Sequence, residues 1–339
     1  MRVGALKLLL IPVCCSSPAI AFAADPSQLS LELRSHGDYA QAESVLREGL
    51  KNEAAGTTSR ANLMMDLADL LREEDRTAEA RPYFQGVLDL PGIAWESRFG
   101  ALMGIADIDR VDQSWDASIS KWNEASALAT SHNDAVMQSL ALRGLGETWM
   151  DRGNLARAEP LLKRALAGVE NQPGVEVYRV AVALDSLASL YRTEAKFSMA
   201  EELWNRELQI DRKFFGDYHP QTALVMGHLA EAWSADGDFD RARDYSGQAT
   251  AIMTSHFAFD SAPVAAALVN QAAIEQRAHN LQRAAELYGK AFGIFQSTKE
   301  TPSHAGQIVA RLYAGVLSQL HRGQEAKQIA AEASAFRAK

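Results

Sequence analysis

Small residues recur along the chain at nearly constant intervals, and an apolar stripe precedes most of them. The small positions follow one another at steps of 38, 38, 40, 42, 42, 42 and 42 residues: Ala42, Ala80, Ser118, Ala158, Ala200, Ala242, Ala284 and Ala326. Sixteen residues before each of the last seven lies a residue that we call the stripe start: Met64, Leu102, Leu142, Leu184, Met226, Leu268 and Ala310. Apolar or small residues follow most stripe starts three and four positions later, which places one stripe on one helix face. Each unit is therefore predicted to be an antiparallel pair of α-helices.

Small side chains at the predicted helix crossings allow two helix axes to approach to about 8 Å. Large residues then fill the neighbouring holes: Trp149, Tyr191 and Trp233 on first helices, and Phe84, Trp122, Trp204 and Tyr288 on second helices. Because these aromatic residues fall on the buried stripe, they are predicted to be core, with a ligand platform as the alternative. Helix-stopping pairs such as Gly153-Asn154 and Gly237-Asp238 mark the turns within a pair.

The unit around residues 184–204 carries the most specific motif of the chain. Residues 184–191 read Leu-Asp-Ser-Leu-Ala-Ser-Leu-Tyr, and Phe197 and residues 200–204 (Ala-Glu-Glu-Leu-Trp) complete the pair. This pattern resembles the tetratricopeptide repeat, and the 42-residue step resembles its long form in kinesin light chains. Residues 216–220 are similar to the connector between such repeats. The pattern departs from the family at four positions, Asp109, Ala195, Glu207 and Glu275.

The resemblance implies an all-α fold, a right-handed α-solenoid of about eight antiparallel helix pairs. In such an array each pair buries its faces only against its neighbours. The repeats are expected at approximately residues 26–56, 57–93, 94–133, 134–174, 175–219, 220–262, 263–304 and 305–339.

The first 23 residues have the features of a secretory signal peptide. Two basic residues precede an apolar run, and Ala21 and Ala23 fit the positions that a signal peptidase reads. Cleavage after Ala23 is therefore predicted, which makes residues 24–339 an exported superhelical domain. A membrane anchor or lipid attachment at Cys14 or Cys15 is the weaker alternative, because prolines interrupt the run and a spanning helix needs about 20 apolar residues.

Removal of this segment leaves no cysteine, because both cysteines lie within it. Disulfides, thiolate metal sites and cysteine nucleophiles are then excluded together. A cysteine-free exported chain without an Asn-x-Ser/Thr acceptor favours the bacterial periplasm, with secretion as the alternative destination.

The net charge of the chain and its lack of catalytic motifs indicate which class of molecule it binds. The chain carries a formal net charge of −9, or −11 without the two basic residues of the leader. Such a surface disfavours nucleic acid and anionic lipid, so a protein or peptide segment is the predicted partner. No HExxH, GxSxG or P-loop motif is present, and no two of the eight histidines are four residues apart. We therefore predict no catalytic residue, cofactor or metal, and no enzyme; a site assembled across repeats is the remaining alternative.

The resemblance also implies a concave face formed by the first helices, on which peptides lie in extended or helical form. The matching positions are Asn62, Asp69, Arg72, Asp107, Arg110, Arg143, Glu147, Asp185, Arg192, His228, Glu231, Asn270 and Arg311. Arg72, Arg110 and Arg192 share one equivalent position and could hold peptide carboxylates in bidentate pairs. The alternative is that neighbouring acids neutralise them in internal ion pairs. Where the family clamps a peptide backbone with asparagine, only Asn270 fits.

The predicted function is that of an exported scaffold or adaptor that mediates protein–protein interaction through the concave groove. The alternative is a structural subunit of an envelope assembly that self-associates through its ends or convex face. Residues 324–339 form the last predicted helix, which has no following unit. This helix is expected to face water or to pair with a second copy in a homo-oligomer.

Overall fold

The computed structural model describes residues 25–35, 38–54, 56–170, 172, 176–297 and 304–335. Within these residues the chain forms sixteen α-helices and no strand. Their bounds are α1 Pro26–Ser35, α2 Tyr39–Asn52, α3 Thr58–Glu73, α4 Thr77–Leu88, α5 Trp95–Val111, α6 Trp115–Ser131, α7 Ala135–Asp151, α8 Leu155–Glu170, α9 Val177–Thr193, α10 Phe197–Phe214, α11 Pro220–Ala235, α12 Phe239–His256, α13 Ala262–Arg277, α14 Leu281–Ser297, α15 His304–Gln319 and α16 Gly323–Ala335. The predicted signal peptide lies outside the described residues. Among the helices that are described, none is long and apolar enough to cross a bilayer.

Local sequence signals explain several helix starts. Thr57 and Asp134 each accept a hydrogen bond from the backbone N–H three residues later, at 3.1 and 2.9 Å. Asp238 does the same at the start of α12, at 3.1 Å. Such caps satisfy donors that have no partner within the helix. Pro220 opens α11, a position where the missing N–H costs nothing.

The chain divides into two compact units, of which the first is Met1–Ile108. It contains α1 to α4 and most of α5. Consecutive helices from α1 to α4 pack against each other. The core of this unit includes Leu46, Leu67, Phe84 and Ile105.

The second unit is Asp109–Lys339 and contains the end of α5 and α6 to α16. From α6 onward each helix packs against the next along the chain. One continuous hydrophobic cluster includes residues from Ala158 to Ala326. Even-numbered helices are thus the second members of pairs, and odd-numbered helices the first.

The eight small positions of the sequence pattern all lie in second helices. Each of them, from Ala42 to Ala326, is buried. At Gly144 an added Cβ would lie 2.3 Å from the Trp122 ring, so the glycine is needed for this close approach. The predicted helix pairs with small residues at their crossings are confirmed.

Six of the seven large aromatic residues are buried, as predicted: Phe84, Trp122, Tyr191, Trp204, Trp233 and Tyr288. Trp149 is only partly buried against the core. The guanidinium groups of Arg152 and Arg157 lie over its ring, 5.3 and 4.5 Å from the centroid. The exposed side of this indole is therefore covered by cations of the same chain.

Turns within the pairs use a left-handed residue whether or not glycine is available. Gly153 and Gly237 both have φ of 85° at this position. Ala195 stands where the family has glycine, and it nonetheless adopts a φ of 56°. The next N–H, of Lys196, donates to the Tyr191 carbonyl at 2.8 Å, which completes a Schellman-type helix end. The turn geometry is thus kept at the cost of backbone strain at Ala195.

Candidate functional site

The first helices of the second unit lie side by side and form what we call the first-helix face, made of α7, α9, α11, α13 and α15. Helix α7 contacts α9, and α11 contacts α13. Polar ties join neighbours: Ser186 donates to Glu147 at 2.7 Å between α9 and α7, and the Asn270 side chain donates to the Gly227 carbonyl at 3.3 Å between α13 and α11. These links hold successive first helices in a fixed register.

Four apolar residues are exposed at one equivalent position of this face, two residues before each stripe start. We call Val182, Leu224, Ala266 and Ile308 the apolar ladder. Its members are separated by 42 residues each. Val182 is 39% exposed, Leu224 47% and Ile308 39%, and Ala266 is also exposed. An aligned set of exposed apolar side chains is typical of an interaction surface.

Two cavities lie between members of the apolar ladder. A cavity of about 220 Å³ is lined by Leu224 and Ala266, together with Met253. A larger cavity of about 420 Å³ is lined by Ala266 and Ile308, together with Phe295. Ala266 is common to both, because its small side chain leaves space on either side. The apolar ladder is therefore a row of apolar ridges with openings between them.

Two arginines that have no carboxylate partner among the described residues lie at one end of the apolar ladder. Arg277 lines the 420 Å³ cavity and also a second one of about 440 Å³ beside Leu312. Arg311 is exposed one turn after Ile308, on the same side of α15. In the part of the chain that the structure describes, neither arginine has a carboxylate within ion-pair distance. This end of the face can therefore accept negative charge.

Four of the sequence-predicted site residues, Asn62, Asp69, Arg72 and Asp107, lie in the first unit, and the other nine lie in the second. The arginines at the shared position are in ion pairs between first helices. Arg72 lies 3.1 Å from Asp107 and 3.1 Å from Asp69. In the second unit, Arg110 pairs with Asp151 at 2.7 Å and Arg192 with Glu231 at 3.2 Å.

These pairs support the interpretation as internal ion pairs rather than a free carboxylate site. Arg143 is likewise paired, with Glu147 at 2.6 Å within α7. The Asn270 amide donates to a backbone carbonyl of its own chain. Among the predicted site residues, exposed Asn62 and Arg311 stay available to a partner.

Asp185 and His228 form a polar cluster with Trp204. The Trp204 Nε1–H donates to Asp185 Oδ1 at 3.0 Å, and His228 Nδ1 lies 3.4 Å from the same oxygen. The imidazole also lies against the indole, with 5.1 Å between centroids. Burial raises the pKa of Asp185, but His228 and the Trp204 hydrogen bond outweigh it, so the pKa lies below its ordinary value.

Two buried acids lie behind this cluster on α10. Glu207 is 7% exposed and Asp211 4%. Burial, together with the charges of Asp185 and Asp211, raises the pKa of Glu207 to about 9. Burial and the charge of Asp185 raise the pKa of Asp211 to about 6. Glu207 is therefore protonated at neutral pH in the folded chain.

The chemistry of these groups does not build a metal centre. Within the described residues, no group of three or more His, Cys, Asp or Glu is arranged to hold a metal ion. The polar cluster joins α9, α10 and α11 and lines the face through His228, which borders the 220 Å³ cavity.

The apolar ladder is the feature that sequence reasoning missed. Its signal was present, since an apolar residue returns every 42 residues at one position of the first helix. The residues predicted for the concave face are all polar or charged, so they do not include these apolar positions.

Comparisons with known proteins agree with this architecture. The family model described as tetratricopeptide repeat matches residues 179–255. The mitochondrial tetratricopeptide repeat protein 19 of Rattus norvegicus is 35% identical over 71 residues, which is 21% of this chain and 20% of that protein. The match thus spans about a fifth of that relative's length.

Solved structures show the same fold at low sequence identity. Repeats of a putative kinesin light chain from Podosopora anserina superpose with a TM-score of 0.52 at 19% identity, covering 61% of this chain and 99% of theirs. The apo form of RapI superposes with a TM-score of 0.62 at 12% identity, covering 92% of this chain and 85% of its own. The predicted all-α solenoid class is therefore confirmed. The match of residues 179–255 to the family model, the repeated helix pairs and these folds together support a tetratricopeptide repeat architecture.

Proposed function

We propose that this protein is an exported adaptor that binds a segment of a partner protein on the first-helix face of its second unit. The tetratricopeptide fold is one of protein-interaction scaffolds, and such scaffolds are generally non-catalytic. The observation that carries the proposal is the apolar ladder with the two cavities between its members. Burial of that surface by a partner supplies the driving force for binding.

The proposed role of the arginines is the structural one of the two that the sequence allows. Arg72, Arg110 and Arg192 position neighbouring first helices, since each already holds a carboxylate. Apolar contact at the ladder then provides affinity, and polar groups at its edge provide orientation.

Site-specific photocrosslinking in the native host tests the binding face. A photoreactive amino acid replaces Ala266 on the apolar ladder in one variant and exposed Gln282 on second helix α14 in the control. We expect a discrete protein adduct from position 266 and none from position 282. Equal adducts from both positions, or none from position 266, would refute the proposed face.

Export is tested separately, by cell fractionation and mass spectrometry of the native protein. Support comes from the leader sequence of residues 1–23. The expected product is an envelope protein that begins at Ala24. A full-length chain of 37.0 kDa recovered with the cytoplasmic proteins contradicts export.

A further inference from the structure

We propose that the partner segment is an acidic amphipathic α-helix that lies across the first helices of the second unit. This inference rests on the proposed function and adds the conformation and charge of the ligand. It follows from the spacing of the apolar ladder, from the cavities between its members and from two arginines at its end for which the structure describes no carboxylate partner.

The spacing favours a helix over an extended peptide. The apolar ladder places one residue on each of α9, α11, α13 and α15, and packed helices lie about 8 to 10 Å apart. A helical ligand repeats one face every seven residues, or about 10.5 Å, which matches this step. An extended chain repeats one face every two residues, at about 6.6 Å or 13 Å, and its three-residue step of about 10 Å points to the opposite side. A helix therefore meets successive members with one face, whereas an extended chain does not.

The cavities fit the remaining apolar positions of such a helix. A residue three or four positions after a contact lies on the same face of the ligand, roughly 5 Å further along. Such a residue falls between members of the apolar ladder, where the 220 and 420 Å³ cavities open on either side of Ala266. An amphipathic helix whose apolar residues alternate at three- and four-residue spacing thus contacts the apolar ladder and also fills the cavities between its members.

Charge complementarity decides the polar face of the ligand. Upstream, Arg143 and Arg192 are already paired with Glu147 and Glu231. At the α13–α15 end, Arg277 borders two cavities and has no ion-pair partner in the described chain. Arg311 is exposed one turn after the last member of the apolar ladder. Aspartate or glutamate flanking the apolar positions of a helix would pair with these guanidinium groups.

Selection from a random peptide library displayed on phage, with the full-length chain as target, tests the inference. Binders that also bind an Ala266→Gln variant of the target are removed, so that the remaining sequences report the apolar ladder without a bias in charge. We expect enriched peptides with apolar residues at alternating three- and four-residue spacing and an excess of Asp and Glu. Synthetic copies should gain helical circular dichroism on binding.

A charge reversal provides the matched control. Arg277→Glu should weaken the selected peptides by about tenfold or more, because it replaces attraction with repulsion. Arg164→Glu makes the same charge reversal at an exposed position of second helix α8, away from the first-helix face. It should leave the affinity for the selected peptides unchanged.

Enriched peptides with a two-residue apolar alternation, with an excess of Lys and Arg, or bound without a gain in helix would overturn the inference. Failure to enrich any sequence would also overturn it. These outcomes are distinct from failure of the proposed function. A position-266 adduct in cells together with extended selected peptides retains the binding face and removes the helical ligand.

Discussion

Replacement of Glu207 by glutamine should stabilise the protein at neutral pH. The folded chain holds this buried acid at a pKa of about 9, against an ordinary value of 4.5. Because the folded state binds the proton more tightly than the unfolded state, stability is greatest below pH 4.5 and falls as the pH rises towards 9. At pH 7, which lies 2.5 pH units above the ordinary pKa of 4.5, this loss of stability amounts to on the order of 3 kcal/mol. A glutamine side chain has nearly the same shape and carries no such penalty.

The prediction is measured by urea unfolding of the full chain at pH 5, 6, 7 and 8, followed by circular dichroism. Glu207→Gln should raise the free energy of unfolding by on the order of 3 kcal/mol at pH 7 and by less than about 1 kcal/mol at pH 5. The matched control is Glu202→Gln, the same change at an exposed position of α10. This control should change stability little at any of these pH values.

Two results would refute the reasoning about this buried acid. One is a Glu207→Gln variant that is no more stable than the parent at pH 7. The other is a stabilisation that does not shrink between pH 7 and pH 5, because it would not arise from the proton. Asp211 titrates in both proteins, so its own contribution largely cancels in the comparison.

Three further predictions concern packing, turns and assembly. Gly144→Ala should lower the free energy of unfolding by about 1 to 3 kcal/mol, because the added Cβ would overlap the Trp122 ring. Gly293→Ala should raise it by about 0.5 to 1 kcal/mol, because a Cβ at that position meets no atom within 4 Å. Urea unfolding measures both changes. Ala195→Gly should raise the thermal midpoint, since glycine adopts the left-handed turn without strain, and an unchanged or lower midpoint counts against this. Pairing of two copies through residues 324–339 requires a dimer mass in light scattering of the full chain, and a monomer mass contradicts it.

The helix pairs were predictable because their packing requires a small residue at each crossing, and such residues recur in the sequence at a fixed interval. Small residues such as Ala158 and Ala200 are the only ones that allow the close crossings, so their 42-residue step indicates the pairs directly. Ala195 keeps the left-handed turn between α9 and α10 although it is not glycine, so packing of the two helices maintains the turn geometry.

The site was less predictable, because exposure depends on which neighbour covers the second face of a first helix. Val182 and Leu184 are both apolar and belong to the same helix, yet Val182 is 39% exposed and Leu184 is buried. Helical periodicity places them on different faces but does not say which face lacks a neighbour. The ion-pair partners of the arginines were unpredictable for a similar reason. Arg72 pairs with Asp107, whereas other arginines pair with acids at other distances along the sequence, because the register between repeats decides the partner.

Glu207 illustrates the same limit for a single residue. The sequence pattern identifies Glu207 as a departure from the repeat, at a position where a small residue is usual. Its proximity to Asp185 and Asp211, which raises its pKa together with burial, appears only in the folded chain.

The most direct test of the account is a crystal structure of the full-length chain bound to a peptide selected on the first-helix face. The account predicts that the peptide crosses α9, α11, α13 and α15 in contact with Val182, Leu224, Ala266 and Ile308, with apolar side chains in the two cavities that adjoin Ala266. A peptide seated on the second helices α12 and α14, with the apolar ladder left uncovered, would contradict it.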